Sequence, residues 1–180
     1  MTGRFDNQKV GYFTNPLLSF SDAQQGTDKK QYITRWRMEP KPEDREAYLK
    51  GQTVEPIKPI VFYIDNSTPY QWRSYIKKGI EDWQTAFEKA GFKNAIIAKE
   101  ITDSMHVDMD DVNYSVLTYA ASEKKNAMGP SLLDPRSGEI LEADIMWWHN
   151  VLSMVREWIT VQTGTVCPEA RSVQLPDSLM

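Results

Sequence analysis

Two histidines, one cysteine and a short run of aspartates are the residues of this 180-residue chain whose types could hold a metal or start a reaction. His106 and His149 stand far apart, whereas imidazoles that share a metal on one helix sit four residues apart. His106 lies beside Asp108, Asp110 and Asp111, but the run lacks the glycine and the terminal glutamate of a calcium loop. It reads as a solvated acidic loop. His149 follows Trp147-Trp148 at a strand-to-helix junction. A ligand or proton-carrier role fits there, and satisfying a helix end or packing on the tryptophans is the simpler reading. Cys167 has no basic neighbour in sequence to lower its pKa and reads as a bystander. There is no glycine-rich phosphate loop and no Gly-x-Ser-x-Gly elbow. The residues themselves assign no catalytic side chain and no metal ligand.

Bulk properties exclude more than they assign. A net charge of -4 argues against a nucleic-acid partner, which calls for a basic face. No apolar run approaches the roughly 20 residues that cross a bilayer, so no transmembrane segment is expected. Residues 1–10 are polar and lack the apolar core of a signal peptide. One cysteine cannot form an internal disulfide framework.

The elements that would position any site follow from the pattern. Tyr32 to Met38 alternates large apolar and polar residues, as a half-buried strand does, and Ser19 to Lys30 reads as loop. Prolines 40, 42, 56 and 59 punctuate a connector holding one short helix that stops at Gly51. Pro59 to Asp65 is a short apolar run suited to a strand covered on both faces. A Thr68-x-x-Gln71 capping box with Pro69 at the first turn then opens a helix of about 22 residues, about 33 Å long. Its stripe of Trp72, Ile76, Ile80, Trp83 and Phe87 is expected in the core. Lys77 with Glu81 and Lys78 with Asp82 should pair on its wet side.

Asn94 to Glu100 and Ser115 to Ala120 are further strands, and strand–helix–strand implies a crossover with parallel pairing. Ser131 to Leu141 is a hairpin turning at Asp134-Pro135 with Gly138 at positive φ. The returning strand sets Leu141, Ala143, Ile145 and Trp147 on one face and Glu142 and Asp144 on the other. Asn150 caps a last helix to about Thr163, ending at Gly164, with Val151, Met154, Val155, Trp158 and Ile159 on one face. The fold class is α/β (α+β): a twisted mixed sheet crossed by a long helix. Residues 1–58 form an N-terminal extension and linker, and residues 59–180 the main subdomain.

Several segments in one order resemble a family of bacterial (Bacteroidetes-type) metzincin-like zinc-dependent metallopeptidases. They are Gly11 to Thr14, Tyr32 to Pro42 (YITRWRMEPKP), Lys58 to Asp65 (KPIVFYID) and Gly79 to Glu100 (GIEDWQTAFEKAGFKNAIIAKE). Ala127 to Leu141 (AMGPSLLDPRSGEIL), Trp148-His149-Asn150 and Leu175 to Met180 (LPDSLM) continue the series. In that family the last segment leads into a helix bearing H-E-x-x-H-x-x-G-x-x-H, which holds zinc and the general base. The resemblance therefore implies the N-terminal subdomain of a catalytic domain, cut before its zinc helix and inactive alone, with zinc bound elsewhere in the parent. It implies a peptide or protein substrate, the rest of the catalytic domain as partner, and an exported parent (periplasmic, outer-membrane associated or secreted). In metzincins a sheet edge above the zinc pairs with extended substrate, and the corresponding residues are Asn126, Ala127, Met128, Gly129, Pro130 and Ser131. Two other functions remain open: a non-enzymatic binding or scaffold module without a zinc site, and a metal-binding protein using His106, His149 and the acidic loop. A missing helix should also leave apolar surface near Trp147 and Trp158.

Overall fold

Five strands build the main sheet: Ile60–Ile64 (β3), Ile96–Glu100 (β4), Ser115–Ala120 (β5), Ala127–Met128 (β6) and Ile145–Trp148 (β9). Their order is β4-β3-β5-β9-β6; the first four run parallel, and β6 runs antiparallel to β9. The computed structural model describes residues 1–7, 9–23, 25–102, 104–163 and 166–167. The Leu175 to Met180 segment and Gly164 lie outside them. The mixed α/β architecture read from the sequence is the architecture found.

β3 lies inside the sheet, between β4 and β5, and its run is apolar on both faces. Ile60, Phe62 and Ile64 are buried on one side, with Ile80, Ile96, Ala98 and Leu117 around them. Removing each such side chain from water contributes roughly 1.5–3 kcal/mol before entropy is counted. The parallel β3–β4 pair needs a long connection, and the helical segment after Pro69 makes it.

That segment departs from the single 22-residue helix. It is two helices, Tyr70–Glu81 (α2) and Gln84–Lys89 (α3), broken at Asp82-Trp83. Around the break the backbone tightens: Trp83 N–H donates to Ile80 O and Ala86 N–H to Trp83 O, each three residues back. The capping box is also absent. Pro69, in an extended conformation, is the residue before the helix, no side chain caps it, and the Thr68 hydroxyl is buried without a partner. Arg73 holds the preceding turn instead, donating to the Thr68 and Asn66 carbonyls at 2.9 and 3.0 Å.

Of the expected surface pairs, Lys78–Asp82 forms at 2.9 Å. Glu81 turns the other way: its Oε1 accepts from Ala98 N–H at 3.3 Å. Gln84 does more. Its Oε1 accepts from Ala95 and Ile96 N–H, and its Nε2 donates to Phe92 O. Two helix side chains thus stand in for a neighbouring strand along the outer edge of β4.

The N-terminal residues contain a hairpin that the loop reading missed, Thr14–Ser19 (β1) against Asp28–Ile33 (β2). Pro16 is tolerated because β1 pairs on one side only. Beyond it the chain is stitched to the hairpin of Ser131–Leu133 (β7) and Ile140–Ala143 (β8). Arg35 N–H donates to Gly138 O, and Ile140 N–H to Arg35 O. Gly138 has φ 71°, as the turn requires, and a Cβ there would collide with the Ile33 carbonyl. Trp36 and Met38 of the N-terminal stretch pack against the β3 core. The connector helix, Arg45–Leu49 (α1), is followed by Gly51 at φ 81°. The last helix, Val151–Trp158 (α4), continues as a π-helical turn through Thr163, and Asn150 makes no side-chain cap.

Candidate functional site

The face of the sheet under α2 and α3 is only partly covered. A cleft of about 1180 Å³ lies between the helices and the strands. Trp72, Ile76 and Trp83 line it from the helical side, and the buried Leu117 and Tyr119 with half-buried Trp147 line it from the sheet. Trp36 and Leu152 also line it, and none of its lining residues is charged. The helix stripe is therefore not wholly core, as its spacing implies. Ile80 is buried, Trp72, Ile76 and Phe87 are half-buried, and Trp83 is 65 % exposed. The spacing of 4, 4, 3 and 4 predicts a shared face but carries no information about what covers it.

The apolar surface continues onto α4. Val151 is buried, while Val155, Trp158 and Ile159 on the same helix are 41 %, 54 % and 42 % exposed. This is the region near Trp147 and Trp158 where uncovered apolar surface is expected.

At the carboxyl ends of the parallel strands, where open sheets of this kind usually bind ligands, two polar pairs meet. The Tyr119 hydroxyl and His149 Nδ1 are 2.6 Å apart. Burial pushes the Tyr119 pKa up, so the phenol stays protonated, and the tautomer of the imidazole sets which of the two atoms donates. His149 is otherwise exposed, and its N–H donates to Ala120 O. Ser67 donates to the Asp65 carboxylate and lies 3.2 Å from Tyr119 O. The sequence reading missed the Tyr119 partner of His149. The signal was faint: both residues sit at strand ends, 30 positions apart. Lys124 lies over the Trp148 ring at 4.1 Å, packing the same end.

The six edge residues are split by the fold. Ala127 and Met128 form β6, opposite Trp147 and Met146 of β9. Ser131 belongs to β7, opposite Ala143. Gly129-Pro130 links the two, and Asp144 N–H donates to Pro130 O at 2.9 Å. Asn126 is half-buried, its side chain accepting from Ala127 N–H; the other five residues are exposed. β6 ends the sheet, and among the described residues no strand pairs with its outer edge. A Cβ at Gly129 would make only an ordinary 3.7 Å contact with Asp144 O, so packing within the chain does not demand glycine there.

His106 is exposed, on a loop where Asp108 and Asp111 accept from the N–H groups of Asp110 and Asn113. Cys167 is half-buried. Among the described residues no three His, Cys, Asp or Glu side chains are grouped to hold a metal ion. No helix of the described residues is long and apolar enough to cross a membrane.

Comparison with known proteins bears on the first part of the chain. Residues 1–41 match a family model described as Domain of unknown function (DUF5117). No curated protein and no solved structure matches the chain. The matched stretch holds the β1–β2 hairpin and reaches past Trp36 and Met38, its two side chains packed against the β3 core.

Proposed function

We propose that this chain supplies the sheet, the long helical wall and the substrate side of the cleft of a zinc-dependent metallopeptidase. The zinc ligands and the general base would come from polypeptide outside these 180 residues, and the parent would be exported. The observation that carries the reading is the uncharged cleft over β5 and β9. A helix about 10 Å across with 1.5 Å rise per residue occupies about 120 Å³ per residue. The cleft volume of about 1180 Å³ thus has room for roughly ten residues, close to three helical turns. An apolar space of that size beside exposed Trp83 is a seat for a further amphipathic element, as a zinc-bearing helix would be.

The bare β6 edge supports the substrate side of the proposal. Its unpaired backbone groups can add an extended peptide as a further strand. Residues 126–131 would then hold substrate by main-chain bonds, with modest demands on peptide sequence.

The decisive test is the coding sequence after Met180. An H-E-x-x-H motif is expected within about thirty codons, and its absence sinks the peptidase reading. The cleft and edge would then favour a non-enzymatic peptide-binding module. A chain extended through such a motif should bind one zinc ion and cleave peptides, whereas residues 1–180 alone should not cleave them.

A further inference from the structure

The helical side of the cleft presents two rows at i,i+4 spacing. Trp72, Ile76 and Ile80 form the inner row, half-buried to buried. Tyr75, Gly79 and Trp83 form the outer row and are exposed, Tyr75 at 71 % and Trp83 at 65 %. Rows of this spacing are the ridges by which helices pack on helices. Gly79 is a gap in the outer ridge, with an aromatic side chain on either side of it.

The described chain does not itself call for glycine there. Gly79 lies inside α2 with helical backbone, and no other part of the described chain comes within 4 Å of where its Cβ would stand. A Cβ at Gly91 or Gly138, by contrast, would strike Tyr48 or Ile33. Glycine within a helix weakens the folding equilibrium about fivefold relative to alanine. What the missing side chain provides is access, because a second helix can bring its axis to roughly 8 Å, the short end of the usual range. Tyr75 and Trp83 stand about 12 Å apart along the axis, which matches the width of one helix with its side chains, about 10–12 Å.

The gap opens on a cleft without charged lining, so the face that enters it is apolar. Leu152 of α4 lines the same cleft, and Val155, Trp158 and Ile159 carry exposed apolar surface along α4. From there α4 and its π-helical turn run about 20 Å, whereas residues 168–180 can span about 45 Å when extended. Polypeptide following Met180 can therefore return to the cleft.

We propose that a helix from the polypeptide following Met180 lies in the cleft and crosses α2 at Gly79, its backbone against the glycine and its sides held by Tyr75 and Trp83. Such docking rests on the peptidase reading only in giving the cleft to a further helix, and it does not require that helix to bind zinc.

Hydroxyl-radical labelling, read by mass spectrometry, compares residues 1–180 with the same chain continued past Met180 through the next helix its gene encodes. Tyr75 and Trp83 should be labelled in the first, and that labelling should be largely lost in the second. Gly79→Ala adds a reading of opposite sign in the two chains. In residues 1–180 the methyl meets nothing, so the folding equilibrium should improve about fivefold, seen as a higher denaturation midpoint. In the continued chain the methyl stands between two backbones, and the midpoint should fall. Gly79→Leu should deepen that fall and restore the labelling. Equal labelling of the two wild-type chains, or a gain from Gly79→Ala in both, overturns the proposal. A stop codon directly after Met180 overturns it too, as does protection in residues 1–180 that fades on dilution, which identifies a second copy as the occupant. Should Gly79→Leu fail to fold, the wild-type labelling and Gly79→Ala decide. A following helix that protects Tyr75 and Trp83 but lacks H-E-x-x-H sinks the peptidase reading and leaves the crossing standing; a motif without protection does the reverse.

Discussion

The two edges of the main sheet are treated in opposite ways. Along β4, the backbone N–H groups of Ala95, Ile96 and Ala98 meet side-chain oxygens of Gln84 and Glu81. Along β6, the outer edge meets no strand, and Ala127 and Met128 are exposed. An open edge is a standing invitation to pair with another chain, and proteins commonly cover or blunt it. Here one edge is closed by polar side chains borrowed from a helix, and the other is left open next to an apolar cleft.

Substitutions at the two edges should break that contrast in graded steps. Gln84→Ala removes its three hydrogen bonds to the backbone of Phe92, Ala95 and Ile96 and strands the N–H of Ala95 and the carbonyl of Phe92, both residues being buried. A loss of about 2–3 kcal/mol is expected in chemical denaturation, since buried groups left unpaired are costly. A loss below about 0.5 kcal/mol would show that water replaces the side chain and that this edge is not closed after all. Glu81→Ala removes a single 3.3 Å bond to Ala98 N–H, and about 1 kcal/mol is expected by the same measurement. At the open edge, Met128→Lys should change stability by less than about 0.5 kcal/mol, because the side chain is 48 % exposed. It should nevertheless slow self-association, which sedimentation at rising concentration would detect, because lysine on an edge discourages pairing.

The legible parts of the fold were those where one segment carries the whole signal. Pro59 to Asp65 reads as a covered strand, and Ile60, Phe62 and Ile64 are buried. Gly51 and Gly138 read as chain reversals, and both have positive φ. The errors arose where a remote partner outbid a local rule. Thr68 and Gln71 have the types and spacing of a cap, but Arg73 organises the turn before the helix, and Pro69 takes the boundary position. Glu81 and Lys77 have the spacing of an ion pair, yet Glu81 bonds β4, which no count along the helix can foresee. The β1–β2 hairpin lies in a stretch without clean alternation, where Asp28, Lys29 and Lys30 are all exposed.

Residues 126–131 are named through resemblance alone, whereas the Tyr119–His149 pair needed the third dimension. The apolar stripe that begins in α2 announced a covered face, and only the fold shows that Trp83 within it is exposed while Phe87 beyond it packs on the core.

The tight meeting of Gly138 with Ile33 bears on how the molecule comes into being. The two residues are about a hundred positions apart, and contacts of such separation form slowly because a long loop must close first. On the ribosome, the segment carrying Ile33, Trp36 and Met38 must wait for the β7–β8 turn to emerge before it can dock. The parallel β3–β5–β9 pairings are non-local as well, so apolar strands and the cleft wall stand uncovered during that wait. Gly138→Ala, which blocks the closing contact, should therefore slow refolding and leave more protein in aggregates than its loss of native stability alone accounts for.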